Sequence, residues 1–203
     1  MAAVAADALA LPEAGDVAVI GSGLQAWAQL WALSAVRRLR SVRVFSPSGE
    51  HRDLFAQRAR RELGLAERAV RAVDTPSAAV QGADVVLLAT RSTTPVLDAD
   101  DIAPGAHVST VGPKARGAQE VPPRLLDRAS LISCDSPQQA AAYDRPFVVE
   151  PAALTSLVHV LTGRAPGRTR ADEITVHCSV GMAGSEVVVA HRLLELSARP
   201  LTG

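Results

Sequence analysis

Apolar residues along the chain fall into short continuous runs, separated by polar segments that carry glycine or proline. Residues 17–20 and 85–89 are runs of this kind, and the mixed stretches 42–45 and 107–111 also read as strands. Uninterrupted apolar runs of strand length fit a parallel sheet covered on both faces. Weaker runs at 69–73, 131–133 and 172–177 read as further strands, and 148–149 as an extended segment. Helical patterns fill the intervals. Residues 2–11 predict a short alanine-rich helix stopped by Pro12, and 24–35 an apolar, uncharged one. Residues 50–63 predict a charged helix ended by Gly64, with Leu54, Phe55, Ala59 and Leu63 on its buried stripe. Thr75 and Pro76 suit the cap and first position of a helix over 77–81. Residues 122–128, 137–143, 152–161 and 184–196 predict the remaining helices, with a glycine-bearing loop at 112–119, a surface loop at 164–170 and a frayed tail from 197. Roughly six strands alternating with short helices give a doubly wound, mostly parallel α/β domain.

One corner carries chemistry. The strand 17–20 runs into Gly21-Ser22-Gly23-Leu24-Gln25-Ala26 and then a helix. This is the opening of a dinucleotide-binding βαβ unit, Rossmann-like in kind. Gly21 allows the tight turn, Gly23 lets a pyrophosphate approach the backbone, and Ala26 is the small residue where helix crosses sheet. The amides of the first helical turn attract phosphate, and the Ser22 hydroxyl can add a bond. The chain divides into a helical lead-in (1–16), the nucleotide-binding domain (17–181), and a C-terminal helix and tail (182–203).

Composition narrows the partners. The 203 residues carry 21 basic and 21 acidic side chains, a net charge of +0, so nothing directs the protein to nucleic acid or an anionic membrane. Lys114 is the sole lysine, and the arginines are scattered. Cys134 and Cys178 make no disulfide framework and read as buried thiols; the five histidines show no metal-ligand spacing. No run is long enough for a signal peptide core or a membrane span, so a cytoplasmic protein is expected.

Five stretches together resemble the ornithine cyclodeaminase and mu-crystallin family: 17–29 (VAVIGSGLQAWAQ), 42–56 (VRVFSPSGEHRDLFA), 83–97 (ADVVLLATRSTTPVL), 107–121 (HVSTVGPKARGAQEV) and 174–190 (ITVHCSVGMAGSEVVVA). Gln25 after the glycine turn marks this family more than the glycines do. The resemblance implies an NAD(P)-dependent oxidoreductase acting on a small amino acid, imino acid or cyclic ketimine. It also implies a region ahead of the nucleotide domain that supplies substrate contacts and a dimer interface. Only sixteen residues precede the first strand here. A truncated product, a start placed too late and a minimal protein all fit, as does a homodimer or a partner chain bringing the missing groups.

The turn after the second strand should select the cofactor. NAD-selective domains place a carboxylate there for the ribose hydroxyls; this chain has Ser46, Pro47 and Ser48. NADP-favouring members carry small polar residues and arginine at this turn, so the resemblance implies NADP, with NAD as the alternative. Arg52 or His51 stands in for the expected arginine, or Arg52 is a solvated helix residue. By the same resemblance Ala89 and Thr90 pass over the adenine and ribose side, with Arg91 at the surface. Val111 and Gly112 face the reacting centre, and Ser179, Val180 and Gly181 lie at the nicotinamide carboxamide.

The main departure is Lys114, which stands where the cyclodeaminases carry a catalytic aspartate. A lysine cannot take over a carboxylate's acceptor role. It either orients a substrate carboxylate and polarises an imine, or is a solvated loop lysine. Glu186 stands where the family often has aspartate and is the second catalytic candidate. Glu120 reads as a brace, and Asp135 as a structural acceptor or a catalytic group. His177 and Cys178 lack an orienting partner for nucleophilic chemistry. Imine reduction therefore fits better than conversion of ornithine to proline, and a dinucleotide-binding protein without turnover is the alternative.

Overall fold

β1 (Asp16–Ile20) is buried along Val17–Ile20 because it lies inside a parallel sheet with neighbours on both sides. The computed structural model describes residues 1–182 and 184–197. In chain order the helix α1 (Ala2–Leu9) leads into β1, then α2 (Leu24–Ser34), β2 (Ser41–Phe45), α3 (Gly49–Leu63), β3 (Val70–Ala72), α4 (Pro76–Val80), β4 (Val85–Leu88) and β5 (His107–Thr110). A small hairpin, β6 (Lys114–Ala115) and β7 (Ala118–Gln119), precedes α5 (Pro123–Arg128), β8 (Leu131–Cys134) and α6 (Pro137–Ala141). The chain closes with β9 (Thr155–Ser156), α7 (Leu157–Leu161), β10 (Thr175–Cys178) and α8 (Ser185–Ser197).

The sheet order is β3-β2-β1-β4-β5-β10-β8-β9, and every pairing within it is parallel. Among the described residues this sheet has eight strands against the expected six or so: seven fall on the segments read as strands, and the one addition is the short edge strand β9. The strand order reverses at β1, which pairs with β2 on one side and β4 on the other. That reversal opens a crevice at the carboxyl ends of the strands, where ligands of such sheets bind.

Strand periodicity sorts the two cores. Val17, Val19, Val42, Val44, Val85 and Leu87 face α2 and α3, meeting Ala26, Trp27, Leu30, Leu33, Phe55 and Ala59. Ala18, Ile20, Val86, Leu88, Val108, Cys134, Val176 and Cys178 point to the opposite face, against α4, α5 and α6. Leu54 departs from the expected stripe of α3 and is 54% exposed; the narrow contact of α3 is made by Phe55, Ala56 and Ala59. α3 starts on the Ser48 cap and ends at Gly64 in the left-handed conformation, as its sequence implies.

Two expectations fail locally. The helix expected over 152–161 is divided, because Thr155 and Ser156 extend to pair with Ser133 and Cys134; α7 begins only after them. The loop expected at 112–119 contains the hairpin β6–β7, which turns at Gly117 (φ 78°).

One sheet face continues from apolar to polar. His107 pairs in register with Thr175, and Ser109 with His177, which lies beside Ser133. His107 Nδ1 is 2.9 Å from Thr175 Oγ1 and its Nε2 is 3.0 Å from Ser109 Oγ. His177 Nδ1 is 3.0 Å from Ser133 Oγ, and its Nε2 has no partner among the described residues. α1 lies in this region: Ala5 and Leu9 pack with Leu157 of α7, and the Leu9 carbonyl accepts a hydrogen bond from Arg168 Nε at 2.7 Å. The lead-in is thus part of the folded core. α8 has no buried residue and exposes Val187, Val188, Val189, Leu193 and Leu194. Residues from 198 onward, where the frayed tail was expected, lie outside the described residues. No helix among the described residues is long and apolar enough to cross a membrane.

Candidate active site

The glycine turn stands at the mouth of the crevice. Gly21 has φ 115°, and a Cβ there would overlap the Ala89 carbonyl. Only glycine combines that backbone with that contact. Gly21→Ala is therefore expected to cost about 1–3 kcal/mol and to weaken dinucleotide binding, read from urea unfolding and from fluorescence titration of the variant. Gly23 is the N-cap of α2, and no side chain caps this helix. A Cβ at Gly23 would meet nothing within 4 Å. An uncapped helix N-terminus facing open space is the arrangement a pyrophosphate requires, so these residues fit a dinucleotide.

Two cavities flank the turn. One, of about 330 Å³, lies between Ser22, Gly23, Leu24, Trp27, His51 and Arg58. The other, of about 350 Å³, is lined by Gln25, Val111, Gly112, Lys114, Tyr143 and the segment Ser179-Val180-Gly181. A larger cavity of about 720 Å³ lies at the amino-terminal end of the sheet, among Arg38, Leu39 and Arg68. None of the candidate site residues lines it, and size alone does not make it the site.

Two buried carboxylates shape the 350 Å³ cavity. Glu120 accepts four hydrogen bonds: from the Thr90 amide at 2.8 Å, the Thr90 hydroxyl at 2.7 Å, the Thr110 hydroxyl at 2.6 Å and the Gly112 amide at 2.6 Å. It ties the end of β4 to the end of β5. Gly112 has to be glycine because a Cβ would overlap the Glu120 carboxyl group. Asp135 accepts from the Ser179 hydroxyl at 2.9 Å, the Val180 amide at 2.7 Å and the Gly181 amide at 3.0 Å. It fixes the loop after β10. Both acids therefore brace the loops around this cavity. Thr90, Ser179, Val180 and Gly181 are brought to the crevice, but their donors are engaged by these carboxylates. They present walls and carbonyls to a ligand.

Lys114 is buried, not solvated: it is 3% exposed and its Nζ donates to the Gly112 carbonyl at 2.6 Å. Burial pulls its pKa below the ordinary lysine value, while the charges of Cys178, Glu120 and Asp135 act in the opposite sense. Cys178 and Cys134 are buried thiols, each pushed up to about 12, mainly by burial. That excludes a thiolate nucleophile at neutral pH. Glu186 is exposed in the first turn of α8 and is not among the residues lining this cavity.

At the cofactor-selecting turn, Ser46 is buried and its hydroxyl donates to the Ser48 carbonyl at 3.1 Å, while the Ser48 hydroxyl accepts from the His51 amide at 3.3 Å. Arg52 is fixed, not solvated. It donates to the Ser46 carbonyl at 3.2 Å and pairs with Asp74. Arg91 is exposed, as expected. Tyr143 is a cavity residue that the sequence pattern does not flag. The available signal was its being the only tyrosine in the chain, which says nothing of place.

The sequence model of the ornithine cyclodeaminase/mu-crystallin family matches residues 1–198. The chain belongs to this family. It is 29% identical over 204 residues to a delta(1)-pyrroline-2-carboxylate reductase of Bacillus cereus, covering 96% of this chain and 61% of that protein. Delta(1)-pyrroline-2-carboxylate reductase of Thermococcus litoralis, solved in complex with NADH and L-proline, matches with a TM-score of 0.84 and 25% identity, over 96% of this chain and 63% of that one. A lysine cyclodeaminase structure matches with a TM-score of 0.85 and 31% identity, over 97% of this chain and 57% of that one. The chain thus spans about three fifths of the length of these relatives.

Proposed function

We propose that this family member binds a nicotinamide dinucleotide across Gly21–Gln25, NADP(H) in preference, and reduces a small imino acid or cyclic ketimine. The observation that carries the reading is the uncapped N-terminus of α2 beside a cavity whose wall holds a buried lysine. Two of the relatives named above are imino acid reductases by name, and one of them was solved with NADH bound. The dinucleotide supplies the hydride. The chain's part is to place the dinucleotide and the substrate against one another. Gly21 to Leu24 receive the pyrophosphate, Ser46, Ser48 and Arg52 the adenosine ribose and its phosphate, and Ala89 and Thr90 the adenosine side. Val111, Gly112 and the carbonyls of 179–181 bound the nicotinamide side. Lys114 holds the carboxylate of the substrate by charge; among the described residues it is the one basic residue on the wall. A second copy, or a separate chain that adds substrate contacts, belongs to the same reading.

Titration of the protein with NADPH and NADH, followed by an assay of cyclic ketimine reduction, tests this. Binding with turnover is expected. Binding without turnover over a panel of small ketimines leaves a dinucleotide-binding protein, and failure to bind either nucleotide overturns the reading altogether. Arg52→Ala is expected to weaken NADPH about tenfold, the worth of one charge-assisted contact, and to leave NADH unchanged. Equal losses for both nucleotides would assign Arg52 to the turn's structure alone.

A further inference from the structure

We propose that Tyr143 is the proton donor of the reductive step, working beside Lys114 in the same cleft. This rests on the function proposed above and adds to it a residue and a chemical role. The placement comes from backbone pairing, not from one side-chain contact. The Tyr143 ring packs edge-on against Phe147, centroid to centroid 5.3 Å at 75°. Phe147 is buried and bridges to Ala115 of β6. The Val148 amide donates to the Lys114 carbonyl at 3.0 Å, and the Arg116 amide to the Pro146 carbonyl at 2.7 Å. The strand that carries Lys114 and the segment that carries Tyr143 are therefore stitched into one small unit. Both side chains then line one cavity, opposite Gln25 of α2 and the segment 179–181. Among the described residues they are the only titratable ones on its wall.

The two groups suit different tasks. Lys114 is enclosed and bonded to Gly112, a fixed cation for a carboxylate. Tyr143 lines the cleft and stays 37% exposed, so water has access to it. Burial, and after it the charges of Asp135 and Cys178, hold the phenol above its ordinary pKa, so it carries its proton at neutral pH. In the step, the Tyr143 O–H bond breaks and its proton joins the imine nitrogen through the C=N π pair. The imine carbon takes the hydride of the reduced nicotinamide. The substrate is reduced to an amine, the dinucleotide is oxidised, and water at the cleft mouth returns a proton to the phenolate.

Tyr143→Phe keeps the ring on Phe147 and removes only the hydroxyl. It is expected to lower kcat for ketimine reduction about 100-fold, the usual worth of a positioned acid, with KM and NADPH affinity close to wild type. The alkaline limb of the wild-type kcat profile should flatten in the variant. A variant that turns over as fast as wild type, with the same pH profile, overturns the proposal while the proposed function stands. A second readout needs no turnover. Tyr143 is the only tyrosine, so nitration by tetranitromethane reports on it alone. Nitration should be suppressed when NADPH and pyrrole-2-carboxylate, a planar substrate mimic, are added together. Undiminished nitration with both bound overturns the placement of Tyr143, and absence of any NADPH binding overturns the placement and the function together.

Discussion

Glu120→Ala is expected to destabilise the protein by about 3–5 kcal/mol, the cost of stripping a buried hydrogen-bonded carboxylate from its partners. Four donors, from Thr90, Thr110 and Gly112, lose their acceptor at once. Thr110 is buried with Glu120 and has no water to turn to, while Thr90 and Gly112 are half-buried. The ammonium of Lys114 also loses a nearby negative charge. Glu120→Gln should fall between wild type and alanine: one oxygen still accepts, while the amide nitrogen faces donors. Urea unfolding of the three proteins reads the order directly. If alanine unfolds at the wild-type midpoint, the four contacts do not brace the crevice. Dinucleotide affinity should fall along the same series, since the ends of β4 and β5 are tied together through this one side chain.

Acid should unfold this protein earlier than its carboxylates alone would require. His107 is held down to about 3, first by burial and then by the charges of His177, Arg168 and Arg37. His177 is held down to about 4, again first by burial, with Asp135 opposing and the N-terminus and Lys114 adding to it. In the unfolded chain both titrate near 6.5. The sign follows from proton counts: between pH 6.5 and the folded values, the unfolded state binds protons that the native state refuses. The stabilisation from keeping both rings neutral is complete above about pH 6.5 and is lost as pH falls, at about 1.4 kcal/mol per unit for each ring. From pH 7 to pH 5 the two together should cost about 4 kcal/mol. Unfolding free energies at pH 7, 6 and 5 measure that slope, and His177→Asn should roughly halve it whatever it does to stability at pH 7. A flat profile over this range would mean that protons reach the rings without unfolding the chain.

The strands were legible where burial on both faces leaves a mark in composition. The continuous runs at 17–20 and 85–89 became β1 and β4, since a central parallel strand has no solvent face for polar residues, while 42–45 and 107–111 became β2 and β5 despite Arg43, His107, Ser109 and Thr110. The glycine turn was legible for a related reason: a backbone at φ 115° against a neighbouring carbonyl admits no other residue. Thr155 and Ser156 were not legible as a strand. Two residues carry no periodicity, and their extension depends on the edge that β8 offers. Lys114 could not be placed either, because its burial comes from the hairpin and from Gly112, and a lysine's own preference points outward. Tyr143 depends on a bridge between residues 115 and 147, which are far apart in sequence. Glu186 was marked by family likeness alone, and the structure places it exposed in the first turn of α8.

The sheet order has a consequence for how the chain is made. β10 is synthesised last of all the strands and is inserted between β5 and β8. Until it leaves the ribosome, β3-β2-β1-β4-β5 can assemble as a half-sheet around the glycine turn, with β5 as an open edge. β8 meanwhile has only the two-residue β9 to pair with. Joining β5 to β8 through β10 closes contacts between segments far apart in sequence, the slow kind in folding. The open β5 edge is thus the nascent chain's point of vulnerability to pairing with the wrong strand.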